Sequence, residues 1–276
     1  MKRLPLDGDI ICVRGAGDLA TGVIQKLVRV GLRVFALEIE KPTAIRRQIA
    51  CSTALTNSDK TMEVEDIKAR CVEMNQGAIE ACWEEGIVPI IVDPEGRSIS
   101  LMHPICVVDA ILAKRNLGTH RGLAPITIGM GPGFSAPEDV DCVIETMRGH
   151  RLGRLITQGE PLPNTGTPGD VGGQSKKRVI HAVDAGTVIH KCEIGDFLQM
   201  GDPILEVGGQ IMTAPFAGVI RGLITAGMEV PKGMKIADID PRNLDEESVF
   251  SISDKARNLG GAVLEAYLYM KRMKRL

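Results

Sequence analysis

"DIICVRGAGDLATGVIQKLVRVGLRVFALEIE", residues 9–40, decides how the chain is read. "DIICV" (9–13) reads as a buried strand, "DLATGVIQKLVRV" (18–30) as a helix and "RVFALEIE" (33–40) as the next strand. Between the first strand and the helix, Gly15, Gly17 and Ala20 fit G-x-G-x-x-[G/A]. In that pattern the first glycine permits a tight turn, the second lets backbone approach a pyrophosphate, and the third site must be small for helix–strand packing. The helix start then offers unpaired N–H groups and a partial positive charge to phosphates. Gly15, Ala16, Gly17, Asp18, Leu19 and Ala20 are therefore the candidate cofactor-binding turn. Glu38 and Glu40, closing the second strand, stand where an acidic residue bonds a ribose hydroxyl. Asp18 has a competing role, since a carboxylate there caps the helix itself and mimics the anion.

Outward from this unit the alternation continues. "AIRRQIACSTAL" (44–55) is predicted as a helix, "TMEVEDIKARCV" (61–72) as a short strand pair and "QGAIEACWEEG" (76–86) as a helix. "IVPIIVD" (87–93) reads as a strand, "VVDAILAKRN" (107–116) as a helix and "PITIGM" (125–130) as a strand. Strands separated by helices predict an α/β fold, a Rossmann-like mostly parallel sheet over residues 1–158. "GEPLPNTGTPGDVGGQSKK" (159–177) has the Gly/Pro/Asn/Ser chemistry of a linker. The last stretch, "DKARNLGGAVLEAYLYMKRMKRL" (254–276), returns to helix within a C-terminal segment taken as 242–276.

Residues 178–241 hold an internal repeat. Gly186, Gly195 and Gly201 recur as Gly218, Gly227 and Gly233, each 32 residues later, with a Val-Ile pair after the first glycine of each set. Glycine turns between β-branched runs describe short strands. The duplication resembles the biotinyl/lipoyl carrier fold, which implies a small all-β barrel-sandwich domain after the α/β domain. In carriers the hairpin between the halves presents a modifiable lysine. Here that hairpin is Gly208-Gly209-Gln210, and Lys191, Lys232 and Lys235 fall elsewhere. No biotin or lipoate is expected, and the domain reads as a docking or structural module.

"GMGPGFSAPEDVDCVIETMRGHRLGRLI" (129–156) is the densest cluster of functional residue types. Gly131 and Gly133 bracket a turn at a strand's C-terminal end, where open α/β sheets bind ligands. Asp141 and Glu145 are spaced to share a helix face, with Arg148 placed to pair with Glu145. The favoured reading of that pair is a solvated helix face, not a metal site. Arg148 and His150 are candidate contacts for an anionic ligand.

"GAGDLATG", "EIEKPTAIRR", "VVDAILAKRN", "ITIGMGPGFSAPEDVDCVIETMRGHRLGRLI" and "PNTGTPG" together resemble the YqeB-type accessory proteins of selenium-dependent molybdenum hydroxylases. The glycine turn is also similar to that of XdhC-type factors, which handle molybdenum cofactor. The resemblance implies a maturation factor with a molybdenum hydroxylase client and a dinucleotide or molybdopterin-type cofactor, a nucleotide-like small molecule. An NAD(P)-dependent oxidoreductase is the alternative, but no proton donor or hydride-accepting site is legible. A carrier role is disfavoured by the missing lysine.

Composition narrows the partners. With 33 basic and 35 acidic residues there is no global field for nucleic acid or an anionic membrane, and 3% aromatic content offers no base-stacking platform. The seven cysteines are scattered, with no CxxC spacing, which suits a reducing cytoplasm. No run approaches 18 apolar residues, so a soluble cytoplasmic protein is expected, with a homo-oligomer left open.

Overall fold

A computed structural model describes residues 8–166, 172–242 and 245–276. The chain forms two compact units, the first from Met1–Pro42, Ala50–Asn164 and Ile252–Leu276, the second from Thr43–Ile49 and Thr165–Ser251.

In the first unit the strand–turn–helix–strand of the opening stretch is β1 (Ile10–Arg14), α1 (Asp18–Arg29) and β2 (Arg33–Glu38). There follow β3 (Thr61–Val64), β4 (Ile67–Val72), α2 (Gln76–Glu84), β5 (Val88–Val92), α3 (Arg97–Met102), β6 (Cys106–Asp109), β7 (Ile126–Met130), β8 (Cys142–Ile144) and β9 (Leu155–Ile156). They build one nine-stranded sheet in the order β3-β4-β5-β2-β1-β6-β7-β8-β9. The strands from β4 to β8 run parallel, while β3 pairs with β4, and β9 with β8, antiparallel. The inner strands are apolar on both faces, as a sheet covered on both sides requires; β7 is buried at every residue. α1 turns Ala20, Val23, Ile24 and Leu27 inward, the spacing of one helical face.

The second unit contains β10 (Val179–His181), β11 (Gly186–His190), β12 (Phe197–Leu198), β13 (Pro203–Val207), β14 (Gln210–Thr213), β15 (Gly218–Leu223), β16 (Glu229–Val230), β17 (Lys235–Asp240) and α4 (Glu246–Phe250). Two four-stranded antiparallel sheets result, ordered β10-β17-β15-β12 and β14-β13-β11-β16. The repeat governs this arrangement. Moving each strand four places along the chain turns the first order into the second, so each half lends strands to both sheets. Ile204, Leu205, Ile220, Leu223 and Ile236 are fully buried between the glycine turns. The short segment Thr43–Ile49 belongs here, where the Leu223 N–H donates to the Ile45 carbonyl (2.8 Å) and Arg47 Nε to the Leu223 carbonyl (2.7 Å).

The chain ends in α5 (Asp254–Lys274), part of the first unit. Ser253 caps it by accepting from the Ala256 N–H (3.2 Å). α5 crosses α1 through small residues. A Cβ on Gly22 would lie 2.4 Å from the Ala256 carbonyl oxygen, and one on Gly260 would lie 2.2 Å from that of Gly22. Backbone meets backbone here, and Leu259, Val263, Ala266 and Tyr267 are buried in the same core as Val23, Ile24 and Leu27.

The predicted architecture, a Rossmann-like mostly parallel sheet followed by a small barrel and a trailing helix, is corrected by these findings. The first sheet is large and mixed, with antiparallel strands at both edges, and the second unit holds two separate antiparallel sheets. Three local readings fail with it. Residues 44–55 form two 3-10 turns, Arg47–Ile49 and Cys51–Leu55, instead of a helix. Within 107–116 the β-branched start makes β6, and irregular chain follows. Between Asp141 and Glu145 the chain is strand β8, not helix. Of the linker expected at 159–177, residues 167–171 lie outside the described residues, as do 243–244 of the C-terminal segment. Among the described residues no helix is long and apolar enough to cross a membrane.

Candidate functional site

Because the strands from β4 to β8 are parallel, their C-terminal ends share one edge, and the glycine turn lies there. The backbone of Arg14 leaves β1 and turns sharply at Gly15, whose φ of +97° and packing leave no room for a side chain: a Cβ would sit 2.9 Å from the Ala110 carbonyl oxygen. Gly17 is the N-cap of α1 in ordinary extended conformation (φ −69°, ψ −175°), a residue with no side chain to cap the helix. Asp18 thus stands in the first turn of α1 without being its cap, contrary to the capping alternative. Leu19 is half-buried and Ala20 fully buried, the small third site packing inward.

Glu38 closes onto this turn. Its Oε2 accepts from the Ala16 N–H (2.9 Å) and its Oε1 from the Ile39 N–H (2.8 Å). Burial pushes its pKa up, and the two N–H donors hold it back. Each oxygen keeps a lone-pair direction for a ligand hydroxyl. Glu40, two residues on, is exposed beyond the strand end.

Beneath the turn is a buried polar anchor. Arg14 donates to Thr119 Oγ1 and to the carbonyls of Pro94 (3.2 Å) and Leu117 (3.3 Å), while Thr119 Oγ1 donates to Asp109 Oδ2 (2.6 Å). Burial raises the Asp109 pKa, offset by the Thr119 and Ile111 donors and by Arg14. The anchor holds the chain after β6, where Leu112 and Lys114 take left-handed φ of 60° and 63°. Non-glycine residues in that region are strained and persist where surrounding contacts fix them.

The other predicted residues sit further along the same edge. Gly131 follows β7 against the Thr146 side chain, and Gly133 lies on the backbone of Arg115. Arg148 does not pair with Glu145. It forms a bidentate pair with Asp254 (2.9 and 3.1 Å), which opens α5. His150 is exposed in the turn after β8.

Asp141 and Glu145 flank β8 and point to different tasks. Asp141 accepts from the Thr127 N–H (2.9 Å) and Arg121 Nε (3.1 Å) and pairs with Lys274 (2.7 Å); Glu145 accepts from the N–H groups of Met147 and Leu162 (both 2.8 Å). Among the described residues no group of three or more His, Cys, Asp and Glu is placed to hold a metal.

Asp141 is a structural hub with a pH signature. Burial works to raise its pKa, but Lys274, the Thr127 N–H and Arg121 overcome it and the pKa lies below the usual range. A carboxyl depressed by folding stabilises above its unfolded pKa, about 3.9, and that contribution drains away as pH falls through the folded value. Asp141→Asn is therefore expected to cost about 2 kcal/mol at pH 7. In urea unfolding, the gap between wild type and variant should close as pH falls below about 4.

Two side chains at the turn carried no signal in the sequence. Ser52 donates its backbone N–H to the Ala16 carbonyl (2.8 Å), and its side chain is buried. Lys255, in the first turn of α5, is half-buried with Asp18, Glu145, Asp254 and Arg148 as its charged neighbours. Burial and Arg148 lower its pKa, against the three carboxylates. A separate cavity of about 540 Å³, lined by Leu32, Arg33, Trp83 and Glu84 among others, opens at the opposite, N-terminal edge of β2 and β5.

Fold and site together define an α/β unit with a glycine turn on the carboxyl edge of its parallel strands, in one chain with a duplicated antiparallel β unit. The chain is 43% identical over 266 residues to the uncharacterized protein YqeB of Escherichia coli (strain K12), which supports the YqeB-type resemblance. The match takes in 96% of this chain and 48% of YqeB, so the chain spans about half the length of that relative. No protein-family model matches. Among solved structures, a succinylglutamate desuccinylase from a Silicibacter species overlaps 84% of this chain and 85% of its own at 13% identity and a TM-score of 0.25. An aspartoacylase family protein from Mesorhizobium loti overlaps 84% and 85% at 10% identity and a TM-score of 0.27. Likeness at that level carries no implication for this chain's chemistry.

Proposed function

We propose that this chain is a cytoplasmic accessory factor that binds a dinucleotide or molybdopterin-type cofactor on behalf of a selenium-dependent molybdenum hydroxylase. The observation that carries the reading is the G-x-G-x-x-A turn at the N-terminus of α1, with the Glu38 carboxylate bonded to its Ala16 N–H (2.9 Å). A helix start favours a diphosphate, and an acidic group one strand away suits a ribose hydroxyl. Ser52, whose N–H bonds the Ala16 carbonyl, has a buried hydroxyl unpartnered among the described residues, which fits a further acceptor such as a phosphate oxygen.

When bound, such a cofactor supplies the redox chemistry its client enzyme uses. This chain's own residues hold and orient it: the α1 N–H groups face the diphosphate and Glu38 the ribose. The second unit is read as the docking part for the client. Its inter-repeat turn, Gly208–Gly209, has φ of 58° and 76°, a tight two-residue hairpin turn without an amine, so the reading includes no biotin or lipoate.

Native mass spectrometry after co-expression with a molybdenum hydroxylase tests this. The expected spectrum contains a dinucleotide-sized adduct on this chain and a complex with the hydroxylase. Turnover of a nicotinamide cofactor, with neither adduct nor complex, would overturn the reading in favour of an oxidoreductase.

A further inference from the structure

We infer that Ser52 and Lys255 complete a phosphate-binding cradle at the N-terminus of α1, an inference that rests on the ligand reading above and names the side chains that grip its anion. Three observations converge on the place.

The first is the helix start. α1 runs twelve residues from Asp18 to Arg29, its N-cap is Gly17, and among the described residues no side-chain cap bond is made there. An uncapped helix start is an anion site only if something else gathers there.

The second is Ser52. It is 1% exposed, and its hydroxyl has no hydrogen-bond partner among the described residues. Two bonds fix this residue against the start of α1. The Ser52 N–H donates to the Ala16 carbonyl (2.8 Å), and the Cys51 N–H donates to Thr21 Oγ1 (2.9 Å). The residue is thereby held beside the glycine turn. A buried hydroxyl without a partner is costly, and folded chains keep few of them. Its retention at the ligand turn is explained when the missing partner is the ligand's own oxygen.

The third is Lys255. The Gly22–Ala256 crossing brings the first turn of α5 to α1, one turn beyond Asp18. Lys255 is surrounded by both signs of charge, Asp18, Glu145 and Asp254 against Arg148. Asp254 is already engaged bidentately by Arg148, and Glu145 by two backbone N–H groups. Among the described residues Lys255 forms no ion pair, whereas the other lysines of α5 that face the first unit's sheet, Lys271 and Lys274, pair with Asp9 and Asp141. The cation is thus available to a phosphate. The ligand class is a phosphate ester or diphosphate whose oxygens accept from the α1 N–H groups, the Ser52 hydroxyl and the Lys255 ammonium.

The test uses the full chain with inorganic pyrophosphate and a dinucleotide as separate probes, followed by calorimetry and thermal unfolding. Ser52→Ala is expected to leave the midpoint of the free protein unchanged or raised, because it deletes an unsatisfied group. The same variant should weaken pyrophosphate about tenfold. Lys255→Met should weaken pyrophosphate similarly and flatten its salt dependence, with Lys255→Arg restoring most of both. Equal pyrophosphate affinity in wild type, Ser52→Ala and Lys255→Met would overturn the cradle while leaving the ligand reading standing. Dinucleotide binding without pyrophosphate binding would do the same. A wild-type chain that binds neither probe would sink both.

Discussion

Gly260→Val is expected to destabilise the first unit by roughly 3 kcal/mol, while Gly261→Ala, one residue away on the same helix, should stabilise it by about 0.5–1 kcal/mol. The contrast follows from what each new carbon meets. A Cβ on Gly260 falls 2.2 Å from the Gly22 carbonyl oxygen and 2.8 Å from its carbon. Both are helix backbone and cannot turn aside. α5 must lift from α1, loosening the core that Leu259 and Val263 share with Val23 and Ile24. At Gly261 nothing lies within 4 Å, and the substitution only removes the conformational freedom glycine has when unfolded. Thermal unfolding of the two variants and wild type decides the matter. Equal midpoints would mean that the helices are not in backbone contact.

The second large effect is on the ligand. Gly17→Val is expected to weaken dinucleotide binding about thirtyfold with little loss of stability. Gly17 has φ −69° and ψ −175°, ordinary for a β-branched residue, so the backbone itself tolerates the change apart from a weaker N-cap. The new side chain would instead occupy the approach to the diphosphate. Gly15→Val is the counterpart, since φ of +97° and the Ala110 carbonyl at 2.9 Å make that glycine structural. It should lower the unfolding midpoint of the free protein sharply. Calorimetric titration of Gly17→Val separates the two roles. Unchanged affinity there would remove the turn from the ligand site.

The opening stretch was legible because every level agreed: β-branched runs for β1 and β2, a one-faced helix between them, and a glycine where the chain turns tightly. The Asp141–Glu145 stretch misled for a physical reason. A four-residue spacing puts two side chains on one face of a helix and equally on one face of a strand. The Val143-Ile144 pair between them was the better guide, and those residues form β8. At 44–55 the alternation of apolar and polar residues resembled a helical period, yet the backbone makes only 3-10 turns divided between the two units. The overall arrangement failed because edge strands and sheet membership depend on partners distant in sequence. Ser52 and Lys255 illustrate the same limit at the site. One is a serine in an apolar run, the other a lysine at a helix start, and only the bonds of 51–52 to the start of α1 and the packing of α5 on α1 relate them to the glycine turn.

The order in which the chain visits its two units has a consequence for synthesis. α1 is translated early, but α5, which covers it, comes after the entire second unit. At typical elongation rates the interval is on the order of ten seconds. During that time the core that Val23, Ile24 and Leu27 belong to lacks the Leu259, Val263, Ala266 and Tyr267 side chains that complete it. The second unit is interrupted in the opposite sense, since Ile45 and Arg47 emerge long before the strand end at Leu223 that they bond. Neither unit corresponds to a continuous stretch of messenger, so a C-terminal truncation just before Asp254 would release a chain whose second unit has all its residues and whose first unit lacks α5. Such products are natural substrates for holdase chaperones and proteases.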